Sequence, residues 1–176
     1  MALVVLLRGI NVGGHRTLRP SALAEELKHL GAVNIGAAGT FVIRQRVTRT
    51  RLRAELRRRL PFHAGLAICE GREIARLVSR NPFENQPQRP GLVRFVSVLS
   101  RRPRSTPHTP MTLPSRGPWL VKILGRDDRF VFGLYRRHMK VIGHLGSFDR
   151  LFGVPAITRN FNTIAAIARV LETIDP

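Results

Sequence analysis

The sequence predicts an α+β fold whose first part runs βαββαβ, and three observations carry that prediction. Ala2 to Leu7 is a continuous apolar run that passes through a glycine loop into leucines at helical spacing. Further short β-rich runs follow, separated by glycines and by one arginine-rich amphipathic segment. Pro82, Pro87 and Pro90 then divide the chain into two halves, each with its own strand and helix signals. A length of 176 residues with 43% hydrophobic content suits one domain or two small ones.

Ala2 to Leu7 reads as a strand buried on both faces, because the apolar run shows no alternation. In the loop that follows, Arg8-Gly9-Ile10-Asn11-Val12-Gly13-Gly14, the glycines allow a tight turn or the close approach of a ligand. Pro20 or Ser21 opens a helix with Leu23, Leu27 and Leu30 on its inner stripe and Gly31 as its stop. Val33 to Ile35 and Thr40 to Val47 read as strands. The second alternates Phe41 and Ile43 on one face with Val42, Arg44 and Arg46 on the other.

Thr48 or Thr50 caps the next helix, which turns Leu52, Leu56 and Leu60 inward and places arginines, Arg53 and Arg57 among them, on the rest of its surface. Pro61 ends it. Leu66 to Cys69 is a further strand and Arg72 to Val78 a short helix. This order suits a ferredoxin-like sandwich, an antiparallel sheet with two helices over one face, and the first subdomain is expected over residues 1–84.

The second α/β subdomain, over 88–176, begins with a strong strand at Leu92 to Leu99. Five prolines between Arg101 and Pro118 leave a basic loop without room for a long helix. Trp119 to Leu124 and Phe130 to Tyr135 read as a hairpin turned at Gly125 to Asp128. A short helix at Phe148 to Phe152 precedes a last helix that runs to Ile174, with Ile164, Ile167, Leu171 and Ile174 as its apolar stripe.

The charge is unusual. Thirty Lys+Arg face eleven Asp+Glu, a formal net charge of +19, and nearly all the cations are arginine. The excess is spread over both halves with no basic tail, so it either attracts polyanions or reflects an arginine-rich coding background. No apolar run approaches the ~18 residues of a membrane span, and Cys69 alone excludes an internal disulfide. A soluble, cytoplasmic chain is expected.

Several chemistries are excluded by what the motifs lack. Gly9 to Gly14 has the glycine spacing of a phosphate-binding P-loop, yet His15-Arg16 stand where Lys-Ser/Thr is required, and the G-x-G-x-x-G dinucleotide pattern is missing. The first strand has no aromatic for an RNA-stacking platform. The histidines form no metal pattern, Cys69 reads as a small core residue, and no Ser/His/Asp set or carboxylate pair nominates a catalytic residue. No cofactor or metal is expected, and whether the chain is an enzyme is left open.

Two polar stretches remain. Thr158-Arg159-Asn160-Phe161-Asn162-Thr163 precedes the last helix, where Thr158, Asn160 and Thr163 are all capping residue types and Arg159 with two asparagines suits an anion. The expected ligand site joins Arg8, Asn11, Gly13 and Gly14 with Arg159, Asn160, Asn162 and Thr163, and its ligand is an anionic small molecule or phosphate. The alternative is phosphate-backbone binding to nucleic acid through Arg44, Arg46, Arg53 and Arg57.

Leu6 and Arg8 to Gly14, Asn81-Pro82-Phe83, Gly153-Val154-Pro155-Ala156 and Thr158 to Thr163 together resemble, in order, the bacterial family called domain of unknown function 1697. The resemblance implies two ferredoxin-like (α-β plait) subdomains and no established activity. Ala38-Gly39-Thr40 stands where that family usually has Ser-Gly-Asn, so two polar groups of any shared ligand site are changed.

Overall fold

A computed structural model of the chain describes residues 1–11, 14–15 and 17–174, and it divides into two units: Met1–Ser79 with Ala165–Pro176, and Arg80–Ile164. The fold is mixed α+β with two antiparallel sheets.

In the first unit the elements are β1 (Leu3–Arg8), α1 (Pro20–Glu26), β2 (Ala32–Asn34), β3 (Thr40–Ile43), α2 (Arg49–Arg59), β4 (Gly65–Glu70) and α3 (Gly71–Ser79). Proline occupies the first turn of α1, where its missing N–H costs nothing, and a 3₁₀ turn at Lys28–Leu30 ends on Gly31 in the left-handed region. The Thr48 hydroxyl caps α2 by accepting from the Arg51 N–H at 3.2 Å. The sheet order is β2-β3-β1-β4, with each neighbouring pair antiparallel.

One face of this sheet carries Leu3, Val5, Leu7, Phe41 and Ile43 into a core closed by Leu23 and Leu27 of the α1 region and Leu52 and Leu56 of α2. Its other face is also buried: Val4, Val42 and Cys69 are inaccessible to solvent. The expected alternation of Val42 with Arg44 and Arg46 along one strand face therefore fails. β3 stops at Ile43, all four of its residues are buried, and Arg44 and Arg46 lie beyond it, exposed.

The second unit holds β5 (Leu92–Leu99), β6 (Met111–Leu113), β7 (Val121–Asp127), β8 (Phe130–Arg136), α4 (Val141–Gly146), α5 (Phe148–Phe152) and β9 (Ala156–Asn160), followed by the start of α6 (Phe161–Glu172). Its sheet order is β6-β7-β8-β5-β9. Phe95, Leu99, Val121, Ile123 and Val131 pack against Val141, Phe148 and Phe152.

Three elements here differ from the expectation. Met111-Thr112-Leu113, inside the proline-rich loop, forms an edge strand because Pro110 and Pro114 flank it and leave its own N–H groups intact. The β7–β8 turn is not Gly125 to Asp128: a bulge between Ile123 and Gly125 lets pairing continue to Asp127↔Phe130, and the tight turn falls on Asp128-Arg129, with Asp128 at φ 54°. Thr158 to Asn160 is strand, paired to β5 through Ser97↔Thr158 and Val96↔Arg159, and only Asn160 stands at the helix start.

Candidate functional site

A candidate site of the second unit is assembled by the Asn81-Pro82-Phe83 turn. Asn81 adopts φ 43° and its carbonyl accepts from the Glu84 N–H at 3.0 Å, which delivers Phe83 into the interior. Phe83 packs on Phe161, the first residue of α6, with ring centroids 4.8 Å apart, and edge-on to Phe132 of β8 at 6.1 Å. The guanidinium of Arg94, on β5, lies 5.7 Å over the Phe83 ring and donates to the Gln86 carbonyl at 3.3 Å. One buried aromatic thus sets the start of α6 beside a cation of β5.

Above this arrangement is a cleft of about 390 Å³ whose polar lining includes Arg89, Arg94, Arg137, Asn160 and Asn162. Asn160 caps α6: its Oδ1 accepts from the Asn162 N–H at 2.8 Å, which leaves its side-chain NH₂ for other partners. Arg137 is held beside the Pro87 to Leu92 segment by its own backbone, whose N–H donates to the Gly91 carbonyl at 2.9 Å. No carboxylate lines this cleft.

The other expected ligand residues sort as follows. Arg159, half-buried on β9, does not line the cleft; its Nη1 donates to the Thr158 carbonyl at 3.0 Å, and burial pushes its pKa down to about 10, so it is still cationic at neutral pH. The Thr158 hydroxyl is joined to the Ser97 hydroxyl at 2.6 Å inside the sheet. Thr163 is half-buried on α6.

In the first unit, Arg8 ends β1 opposite Gly65 and is half-buried. Asn11, at φ 56°, uses its whole amide on one neighbour: Nδ2 donates to the Leu18 carbonyl and Oδ1 accepts from the Leu18 N–H, both at 2.8 Å. That pair of hydrogen bonds ties Asn11 to Leu18 and gives its amide a structural task. Gly14 has φ 72° with open space around it, and Gly13 lies outside the described residues. Of the proposed phosphate-backbone arginines, Arg53 is half-buried on α2 while Arg57, Arg44 and Arg46 are exposed.

The second-unit cleft was not anticipated beyond Asn160 and Asn162. Arg89 and Arg94 stand near the first of these only because β5 pairs with β9, and Arg137 joins them because Leu92 faces Arg136 across β5 and β8. Such long-range pairing leaves no local periodic signal, so proximity in sequence did not reveal it.

No curated protein matches the chain. Among solved structures it is similar to conserved bacterial protein SP0830 from Streptococcus pneumoniae, at 15% sequence identity and a TM-score of 0.61, covering 97% of this chain and 98% of that one. At that identity the likeness speaks for the fold. The family model described as "Protein of unknown function (DUF1697)" matches residues 1–115, well over half of the sequence, and the chain belongs to the DUF1697 family.

Proposed function

We propose that the protein binds a phosphate-bearing or similarly anionic small molecule in the cleft between the Pro87 to Leu92 segment and the start of α6. The observation that carries this reading is the convergence of Arg89, Arg94 and Arg137 on one concavity with no carboxylate in its lining. Elsewhere five of the acids are already engaged with arginine: Glu55 with Arg58 and Arg59, Glu70 and Glu73 with Arg49, Asp127 with Arg80, and Asp128 with Arg102. The cleft arginines have no ion-pair partner among the described residues, so an incoming anion meets cations that need not first be freed.

Asn160 and Asn162 add neutral amide donors, which suit a phosphate or carboxylate oxygen. The reading rests on the second unit and draws nothing from the Arg8 to Gly14 loop. We also read the first unit as a ferredoxin-like plait, supported by its strand order β2-β3-β1-β4 with every neighbouring pair antiparallel.

Titration with inorganic phosphate at low ionic strength, followed by amide chemical shifts, tests the ligand reading. Perturbations centred on Asn160, Asn162 and Arg137 are expected, and the double substitution Arg89→Gln/Arg137→Gln should weaken binding about tenfold or more, the scale of one or two charge-assisted hydrogen bonds. Binding that is absent, or that survives the double substitution unchanged, overturns the proposal.

A further inference from the structure

Across the Pro87 to Leu92 segment from the proposed anion cleft lies a second hollow of about 330 Å³, and the two share Pro87, Arg89, Pro90, Leu92 and Arg137. The second adds Lys122, Arg136 and Trp119 to the shared wall. Each hollow is at the lower end of small-ligand pocket size, about 300 Å³. Their sharing of Arg89 and Arg137 makes them one interrupted groove.

Three properties of this groove select a ligand class. Its cations, Arg89, Arg94, Lys122, Arg136 and Arg137, carry no ion pair among the described residues, although four other regions of the chain use carboxylates to neutralise arginine. A single phosphate needs far fewer cations than five, so the ligand carries negative charge at more than one point along its length. Trp119 supplies the third property: Arg136 lies over its ring with the guanidinium 4.3 Å from the centroid. A guanidinium set over an indole offers a stacking platform, and the ligands that combine repeated phosphates with flat aromatic groups are nucleic acids.

We infer that the groove binds single-stranded nucleic acid, with phosphates on Arg89, Arg94, Arg137 and Lys122 and a base stacked on the Arg136–Trp119 pair. The strand form follows from the platform, since the bases of a duplex are stacked on one another and cannot reach it without unpairing. Recognition through backbone charge and stacking implies little sequence preference and a steep dependence on salt. Four phosphate contacts on a single strand give a slope of log K against log salt near −3, from about −0.7 per contact. The inference rests on the anion cleft and extends it to a partner.

Trp119 is the only tryptophan of the chain, so its fluorescence reports on the groove directly. The full chain is titrated with an octathymidylate at several salt concentrations, in parallel with inorganic phosphate, a duplex of matched length and anionic phospholipid vesicles. Saturable quenching by the octathymidylate is expected, at least tenfold tighter than by the duplex. The substitution Arg136→Gln, at an exposed position, should weaken the oligonucleotide about tenfold and leave phosphate binding unchanged, and Trp119→Leu should do the same by anisotropy of a labelled strand.

If phosphate binds through Arg89 and Arg137 but the oligonucleotide binds no more tightly than phosphate, the single-strand inference is overturned while the anion cleft stands. If neither binds, both fail. Binding to vesicles without binding to the octathymidylate, or oligonucleotide binding indifferent to Arg136→Gln, also overturns it.

Discussion

At Gly39 the backbone turns through φ 74°, and a Cβ placed there would stand 2.6 Å from Ile10 Cδ1 and 3.0 Å from Leu7 Cβ. Its carbonyl accepts from the Leu7 N–H at 2.8 Å, so the residue pins the β2–β3 connection onto the end of β1. Neither side of the contact is free to retreat, because Leu7 and Ile10 are both buried. Gly39→Ala combines left-handed strain with overpacking and is expected to cost about 3 kcal/mol, read as a lower denaturant midpoint at unchanged slope. The centre of Ala38-Gly39-Thr40 is thus required by packing. Asn11 is a similar case: a residue type suggestive of ligand binding is used to tie Leu18, and only the fold could reveal that use.

Among the elements, α2 is the one whose design was most legible. A cap at Thr48 or Thr50, the Leu52, Leu56 and Leu60 stripe and the Pro61 stop were each a local signal; Thr48 is the cap, the three leucines are buried and the helix ends at Arg59. Thr48→Ala should cost about 1 kcal/mol, measurable by thermal or urea unfolding, since it orphans the Arg51 N–H. The same helix carries a pH-dependent term. Burial raises the Glu55 pKa, but the hydrogen bond from Arg59 and the charges of Arg58, Arg59 and His29 outweigh it and hold the carboxyl below the ordinary value of 4.5. A depressed carboxylate stabilises the fold above that value and loses its contribution as pH falls through and below it. The stability difference between the native chain and Glu55→Gln should therefore be constant at neutral pH and shrink on acidification below about 4.5, followed by urea midpoints across pH.

β9 marks the limit of local reading. Ala156-Ile157-Thr158 has strand character, but Thr158, Asn160 and Thr163 are also capping types, and the two signals overlap within six residues. Pairing with β5 decides between them: Thr158 is committed to Ser97 in the sheet, and Asn160 alone performs the cap. β6 escaped for a related reason, because three proline-free residues between prolines carry too little pattern to announce an edge strand. Secondary structure set by local capping and periodicity was readable; secondary structure set by a distant partner strand was not.

For the whole molecule the eleven acids are the informative residues. A net charge of +19 spread over both halves marks no site by itself, and the sequence offered arginine faces without a reason to prefer one. Folding supplies the reason by matching particular arginines with carboxylates, on α2, beside β4 and at the β7–β8 turn, and by leaving the Arg89, Arg94 and Arg137 cleft without them. Of the cleft's polar lining, Asn160 and Asn162 were thus visible as part of a polar stretch, whereas the arginines beside them come from positions far apart along the chain.

Cys69 lies fully buried on β4, opposite Val4, and Trp119 lies half-buried at the rim of the second-unit groove. The unmodified polypeptide therefore contains two orthogonal native probes, one per unit. Thiol-reagent labelling of Cys69 times the opening of the first unit, and indole emission follows the second. Coincident transitions under denaturant would mean that the units unfold together, and separated ones that each keeps its own stability.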